Sequence, residues 1–233
     1  MTGIEHACHV IHTQESHYVQ VKAQFEAVSY DVSDAYIDAM AHMVKKYIRY
    51  NETTEQYLEK EYRNLLGDGK VLGVHFRGTD FRKGYNNHPI PVQIEQEIEQ
   101  VKVLIETSGY DRIFLATDEQ AAVERFREVF GDKICVYEDT FRDNGTDESI
   151  AFSEGNRDRH HYYLAREVVR DQYTLTHCDG LVCGYSNVTF IARVMRRAWF
   201  GNEWKDFVLI DNGLYHNDNA FSQSANSKIR NKR

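Results

Sequence analysis

No uninterrupted apolar run in these 233 residues approaches the roughly 20 needed to cross a bilayer, and the opening Met1-Thr-Gly-Ile-Glu-His lacks a basic and an apolar leader region. Neither a membrane span nor a secretory leader is expected, and the chain reads as cytoplasmic. Cysteine is sparse: Cys8, Cys135, Cys178 and Cys183 form no Cys-x-x-Cys pair and lie in apolar runs, which suits small buried side chains in a reducing compartment. Positive charge is short as well. With 28 Lys and Arg against 36 Asp and Glu, the net charge is -8. Such a surface repels phosphate backbones and anionic membranes, although one small anion can still meet a local basic cluster. Eleven histidines include no His-Glu-x-x-His and no Cys/His quartet, so no metal is expected and His160-His161 read as an ordinary helix start. No Ser-His-acid arrangement can be located.

What remains is a globular composition, 42% hydrophobic and 27% charged, long enough for one domain with a smaller lobe. Residues 1–30 are aperiodic and read as irregular. Ile37, Met40, Val44 and Ile48 have helical spacing behind Ser33, and Leu58, Tyr62, Leu65 and Leu66 mark a second helix before Gly67. From Lys70 onward, short β-branched runs (71–76, 112–117, 134–137, 181–184, 207–210) alternate with amphipathic helices (91–107, around 122–129, 159–177, 188–199). That alternation implies right-handed crossovers and an α/β fold, a Rossmann-like doubly wound parallel sheet. The expected division is a helical segment over 1–67, the sheet domain over 68–215 and a polar tail over 216–233, frayed from Ser224 to Arg233. The insertion 138–158 is too long for an ordinary connection and reads as a solvated or functional loop; it has no calcium-loop spacing.

In a doubly wound sheet, ligands meet the carboxyl ends of the strands where the strand order reverses. This points to His75–Asp80, Thr117–Glu119 and Gly184–Asn187. Arg77 leaves a strand end directly into Gly78-Thr79, where backbone amides can approach a ligand oxygen beside a bidentate guanidinium, and a diphosphate is the natural guest. The competing reading pairs Arg77 with Asp80 or Asp118 and makes His75 a core histidine. Asp171 follows Leu164 and Val168 and precedes Leu175 on one apolar helical stripe, so its carboxylate needs a partner. A guanine edge would serve, as would an internal arginine or tyrosine. Ser186 and Asn187 stand at a helix start, as a cap, an anion site or both.

His75-x-Arg77-x-x-Asp80 after Val71-x-Gly-Val resembles the first motif of the GDP-fucose-dependent α1,6- and peptide O-fucosyltransferases. The similarity extends to His88-Pro89-Ile90, to Phe114-Leu-Ala-Thr-Asp118, and to Cys178-Asp-Gly-Leu-Val-Cys-Gly-Tyr-Ser-Asn-Val188, in order over about residues 55–215. The resemblance implies the donor-binding half of a GT-B glycosyltransferase. Arg77 would contact the β-phosphate, His75 and Gly78 would line the donor pocket, Asp118 would hold the nucleoside, Asp171 the guanine, and Ser186 and Asn187 a phosphate.

Two departures accompany it. The α1,6 enzymes have a second arginine where Gly78 stands, and the loop 81–87, which carries their base, contains no acid here, leaving Asp80 as the fallback base. No Asp-x-Asp is present to chelate a metal-diphosphate. The reading that follows is inverting, metal-independent transfer of fucose or a close sugar from a GDP-sugar donor to a glycan hydroxyl, with no further cofactor and no nucleic acid partner. The alternatives are a non-catalytic GDP-sugar-binding module or truncated donor half, and an unrelated Rossmann-like nucleotide enzyme.

Overall fold

All six residues of Val71–Phe76 are buried, and a strand shielded on both faces requires helices on both sides of its sheet. The computed structural model describes residues 2–5, 10–13, 33–79, 89–143, 145, 150, 153–215 and 228–232. Its elements are β1 (Thr2–Glu5), β2 (Val10–Thr13), α1 (Asp34–Tyr47), α2 (Glu52–Leu66), β3 (Val71–Phe76), α3 (Ile94–Ser108), β4 (Arg112–Thr117), α4 (Gln120–Phe130), β5 (Ile134–Cys135), α5 (His160–His177), β6 (Gly180–Cys183), α6 (Asn187–Phe200), β7 (Asp206–Asp211) and β8 (Lys228–Lys232).

One sheet has the order β5-β4-β3-β6-β7-β8. Its first five strands are parallel, with His75 of β3 opposite Ala116 of β4 on one side and Cys183 of β6 on the other. The chain winds outward from β3 through β4 to β5, then crosses back to β6 and β7, so the order reverses at β3. This is the doubly wound, Rossmann-like arrangement that the alternating pattern implied.

Strand periodicity sorts the core into two layers. Leu72 and Val74 face Ile98 and Val101 of α3 and Phe126 of α4; Val71 and Phe114 share the opposite layer with Leu175 of α5 and Ala192 of α6. Outside α6 lies α1, whose Ile37, Ala41 and Val44 bury against Phe190, Val194 and Met195. Each such aliphatic side chain contributes about 1.5–3 kcal/mol, enough to hold an otherwise polar helix in place. Ser33 Oγ caps α1 by accepting from Tyr36 N at 3.3 Å. Asn51 caps α2, accepting from Thr54 N at 2.9 Å, and Gly67 ends it at a φ of +60°. The α2 helix lies on α5, where the Tyr62 and His177 rings stack with centroids 4.4 Å apart.

Two segments depart from expectation. Within residues 1–30, β1 and β2 pair antiparallel, Ile4 opposite Ile11; strands of four residues are too short to register as a period. The tail, expected to fray, supplies β8 antiparallel to β7, Ile229 opposite Ile210. The edge of β7 offers a row of backbone donors and acceptors that an extended chain can satisfy whatever its side chains. Cys135, Cys178 and Cys183 are buried free thiols, while Cys8 lies outside the described residues.

Candidate functional site

Arg77 follows the last residue of β3 at the point where the strand order reverses. Because Phe76 lies opposite Thr117, β4 delivers Asp118 to the same level. Arg77 Nη1 is 2.9 Å from Asp118 Oδ2. Gly78 N donates to Asp118 Oδ1 at 3.0 Å, and Thr79 Oγ1 donates to Oδ2 at 2.7 Å. One carboxylate thus organises three consecutive residues, and 29% of the Arg77 side chain still reaches solvent.

The Gly78 amide is therefore turned toward Asp118, whereas the sequence suggested that it would approach a ligand. A Cβ at 78 would overlap the carboxyl group of Glu119, so any other residue there must displace that side chain. Glu119 is buried directly after Asp118. Sequence reasoning did not single it out, since a lone Glu at a helix start carries no pattern.

A cavity of about 480 Å³ opens beside this loop, within the range of small-molecule and cofactor sites. His75, Arg77 and Asp118 border it from the sheet, Leu164, Val168 and Asp171 from α5, and Thr140 and Phe141 from the segment after β5. The long insertion thus supplies a wall of the cavity. Phe141 N donates to Glu167 Oε2 at 3.3 Å, and Arg157 Nη2 donates to the same oxygen at 3.0 Å. Arg170, only 2% exposed, forks onto Asp139 at 3.1 and 2.6 Å and donates to Thr140 Oγ1 at 3.1 Å.

Asp171 meets the cavity without a partner: among the described residues no group hydrogen-bonds or ion-pairs with its carboxylate. Burial pushes its acid up to about 7, against the opposing pull of Arg170 and Arg142. His75 is 6% exposed, and its Nδ1 has no hydrogen-bond partner among the described residues. Burial, with the Arg77 charge behind it, lowers its pKa to about 4, so the ring is neutral at physiological pH.

Ser186 caps α6, its Oγ accepting from Val188 N at 3.0 Å and Thr189 N at 3.4 Å. Val188 borders the cavity, while Ser186 and Asn187 stand just before it in the chain. Asp80 and His88 lie outside the described residues. Among the described residues, no group of three or more His, Cys, Asp or Glu is placed to hold a metal ion, and no helix is long and apolar enough to cross a membrane.

No protein-family model matches the chain. Among solved structures it is similar to NodZ α-1,6-fucosyltransferase co-crystallised with GDP (11% identity, 78% of this chain and 48% of that one, TM-score 0.43). It is also similar to fucosyltransferase NodZ from Bradyrhizobium (10%, 95% and 67%, TM-score 0.49) and to POFUT1 in complex with GDP-fucose (14%, 71% and 46%, TM-score 0.45). The chain spans about half the length of the first of these.

Proposed function

We propose that this chain binds a GDP-sugar, GDP-fucose or a close relative, and serves its inverting transfer to a glycan hydroxyl without a divalent metal. The observation that carries the reading is that the Arg77 cation and the unpartnered Asp171 carboxylate border the same cavity of about 480 Å³. A purine nucleoside diphosphate has a complementary pair of features. Its diphosphate suits a guanidinium at a strand end, and guanine, unlike adenine, offers N1–H and N2–H together to one carboxylate. Leu164, Val168 and Phe141 give the base an apolar bed.

In the transfer step, the bond from the sugar to the diphosphate breaks and negative charge grows on the leaving oxygen. Arg77, held by Asp118, stands in a fixed position to stabilise that charge, and the start of α6 at Ser186-Asn187 adds its dipole. Asp80, three residues beyond Arg77, is the candidate to take the proton from the acceptor hydroxyl. Calorimetric titration with GDP, ADP, UDP and CDP in the presence of a chelator tests the binding reading. GDP should bind most tightly, and a preference for another base or a requirement for metal would overturn it.

A second reading, a GDP-sugar-binding module without transfer activity, is favoured by the absence of any Asp or Glu in residues 81–87. Incubation with GDP-fucose and a panel of glycans separates the two. Release of GDP that depends on the glycan supports transfer, while tight binding without release supports the module.

A further inference from the structure

Glu97 lies in the first turn of α3, and its spacing from Ile94, Ile98 and Val101 places it on the buried stripe of that helix. It is 1% exposed, and neither carboxyl oxygen has a hydrogen-bond partner among the described residues. Beside it is a small void of about 10 Å³ that His75, Arg77, Gly184 and Tyr185 also border. That is room for one water. Arg77 borders this void and the large cavity alike, so a polar group in the void is one step from whatever the guanidinium holds.

We propose that the Glu97 carboxyl group is a hydrogen-bond donor of the anion subsite at Arg77, reaching the bound ligand through one water in the void that the two residues share. This rests on the diphosphate reading above. Burial without a partner disfavours the carboxylate, and holds the Glu97 acid well above the usual carboxylate range. The acid has an O–H to give, whereas the carboxylate has only lone pairs. An anionic ligand therefore gains a donor from a residue that would repel it in its ordinary ionised form. Glu97 is a positioning residue in this scheme, acting through the water on the oxygens that Arg77 binds.

Infrared difference spectroscopy at pH 8, with inorganic pyrophosphate as the probe, reads the acid directly. A protonated-carboxyl band should shift when pyrophosphate binds, and should be missing from Glu97→Gln. Glu97→Met has similar volume and no donor, and should bind pyrophosphate about 3- to 10-fold more weakly while melting no lower than the parent. Glu97→Gln keeps an N–H and should lose less. Bound pyrophosphate with the Glu97 band unmoved, or parental affinity in folded Glu97→Met, overturns the role of Glu97 and leaves the nucleotide reading standing. Failure of the parent chain to bind either pyrophosphate or GDP overturns both. Should Glu97→Met not fold, the band assigned by Glu97→Gln decides.

Discussion

Arg77 Nη1 lies 2.9 Å from Asp118 Oδ2, and the same carboxylate receives Gly78 N and Thr79 Oγ1. Asp118 thus acts on the segment that presents the cation. Removing it in Asp118→Ala takes away the carboxylate that aligns Arg77, Gly78 and Thr79, and should weaken GDP and ADP alike by about 5- to 30-fold. Parallel titrations check this. A change in the ratio of the two affinities would instead give Asp118 the nucleoside role that the sequence resemblance implies.

A charge-assisted bidentate contact from Arg77 to a diphosphate, as proposed, would be worth roughly 1.5 to 3 kcal/mol. Arg77→Ala should therefore bind GDP about 10- to 150-fold more weakly. The variant should fold, because the side chain is part-exposed and Asp118 keeps its contacts to Gly78 and Thr79. Unchanged affinity in the folded variant would remove the diphosphate from this strand end.

Gly78 lies against the Glu119 carboxyl group. Since an added Cβ overlaps the Glu119 carboxyl, Gly78→Ala should cost about 1–3 kcal/mol of stability through forced displacement, read as a lower melting temperature. Glu119→Ala in the same chain should restore part of that loss. If the double variant melts no higher than Gly78→Ala, the conflict lies elsewhere.

The alternation of short strands with amphipathic helices was enough to imply the parallel sheet, because β3, β4 and β6 are nearly continuous apolar runs and α3 to α6 each carry a stripe. β8 and the β1–β2 pair were not legible, since backbone pairing along an edge leaves little trace in side-chain pattern. Asp171 could be singled out as a carboxylate on an apolar stripe. Glu97 has the same signature, at i+3 from Ile94 and i−4 from Val101, but its helix is crowded with other glutamates, which mask it in the sequence. The sequence allowed Arg77 to pair with Asp80 or Asp118, and the pairing with Asp118 follows once β3 and β4 are neighbours. Arg170 was hidden because an arginine beside a conspicuous aspartate gives no sign of being 2% exposed.

Asp171 sets a pH dependence whose sign can be worked out. Folding raises its acid from 3.8 to about 7, so between these values the folded chain keeps a proton that the unfolded chain has released. Its ionisation therefore costs stability as pH rises through that window, and the cost is absent below it. Asp171→Asn should match the parent's melting temperature near pH 4 and exceed it at pH 8. A guanine held by Asp171, as proposed, needs the ionised form. GDP affinity should fall about 10-fold per unit as pH drops below 7, while ADP affinity stays flat and Asp171→Asn loses the preference. A GDP-to-ADP ratio independent of pH would remove guanine from Asp171.

Arg170 offers a sharper test of that titration, because it precedes Asp171 and its charge opposes the upward push of burial on the neighbouring acid. Replacing it by methionine removes the charge, so the Asp171 acid should rise further and the pH at which GDP preference is lost should move upward. The fold should tolerate the change. Removing one partner of a buried pair is costly where the other charge stays buried, but Asp139 and Glu61, the carboxylates that Arg170 holds, are 66% and 28% exposed and can be hydrated when it is gone. The variant also releases Asp139 and Thr140 beside Phe141, so all nucleotides should bind more weakly whatever happens at Asp171. Arg170→Lys separates the two effects: it keeps the charge and loses the fork, so affinity should fall for every nucleotide while the midpoint stays with the parent. A midpoint that moves equally in both variants would mean that the cavity wall governs the Asp171 acid, and that the Arg170 charge does not.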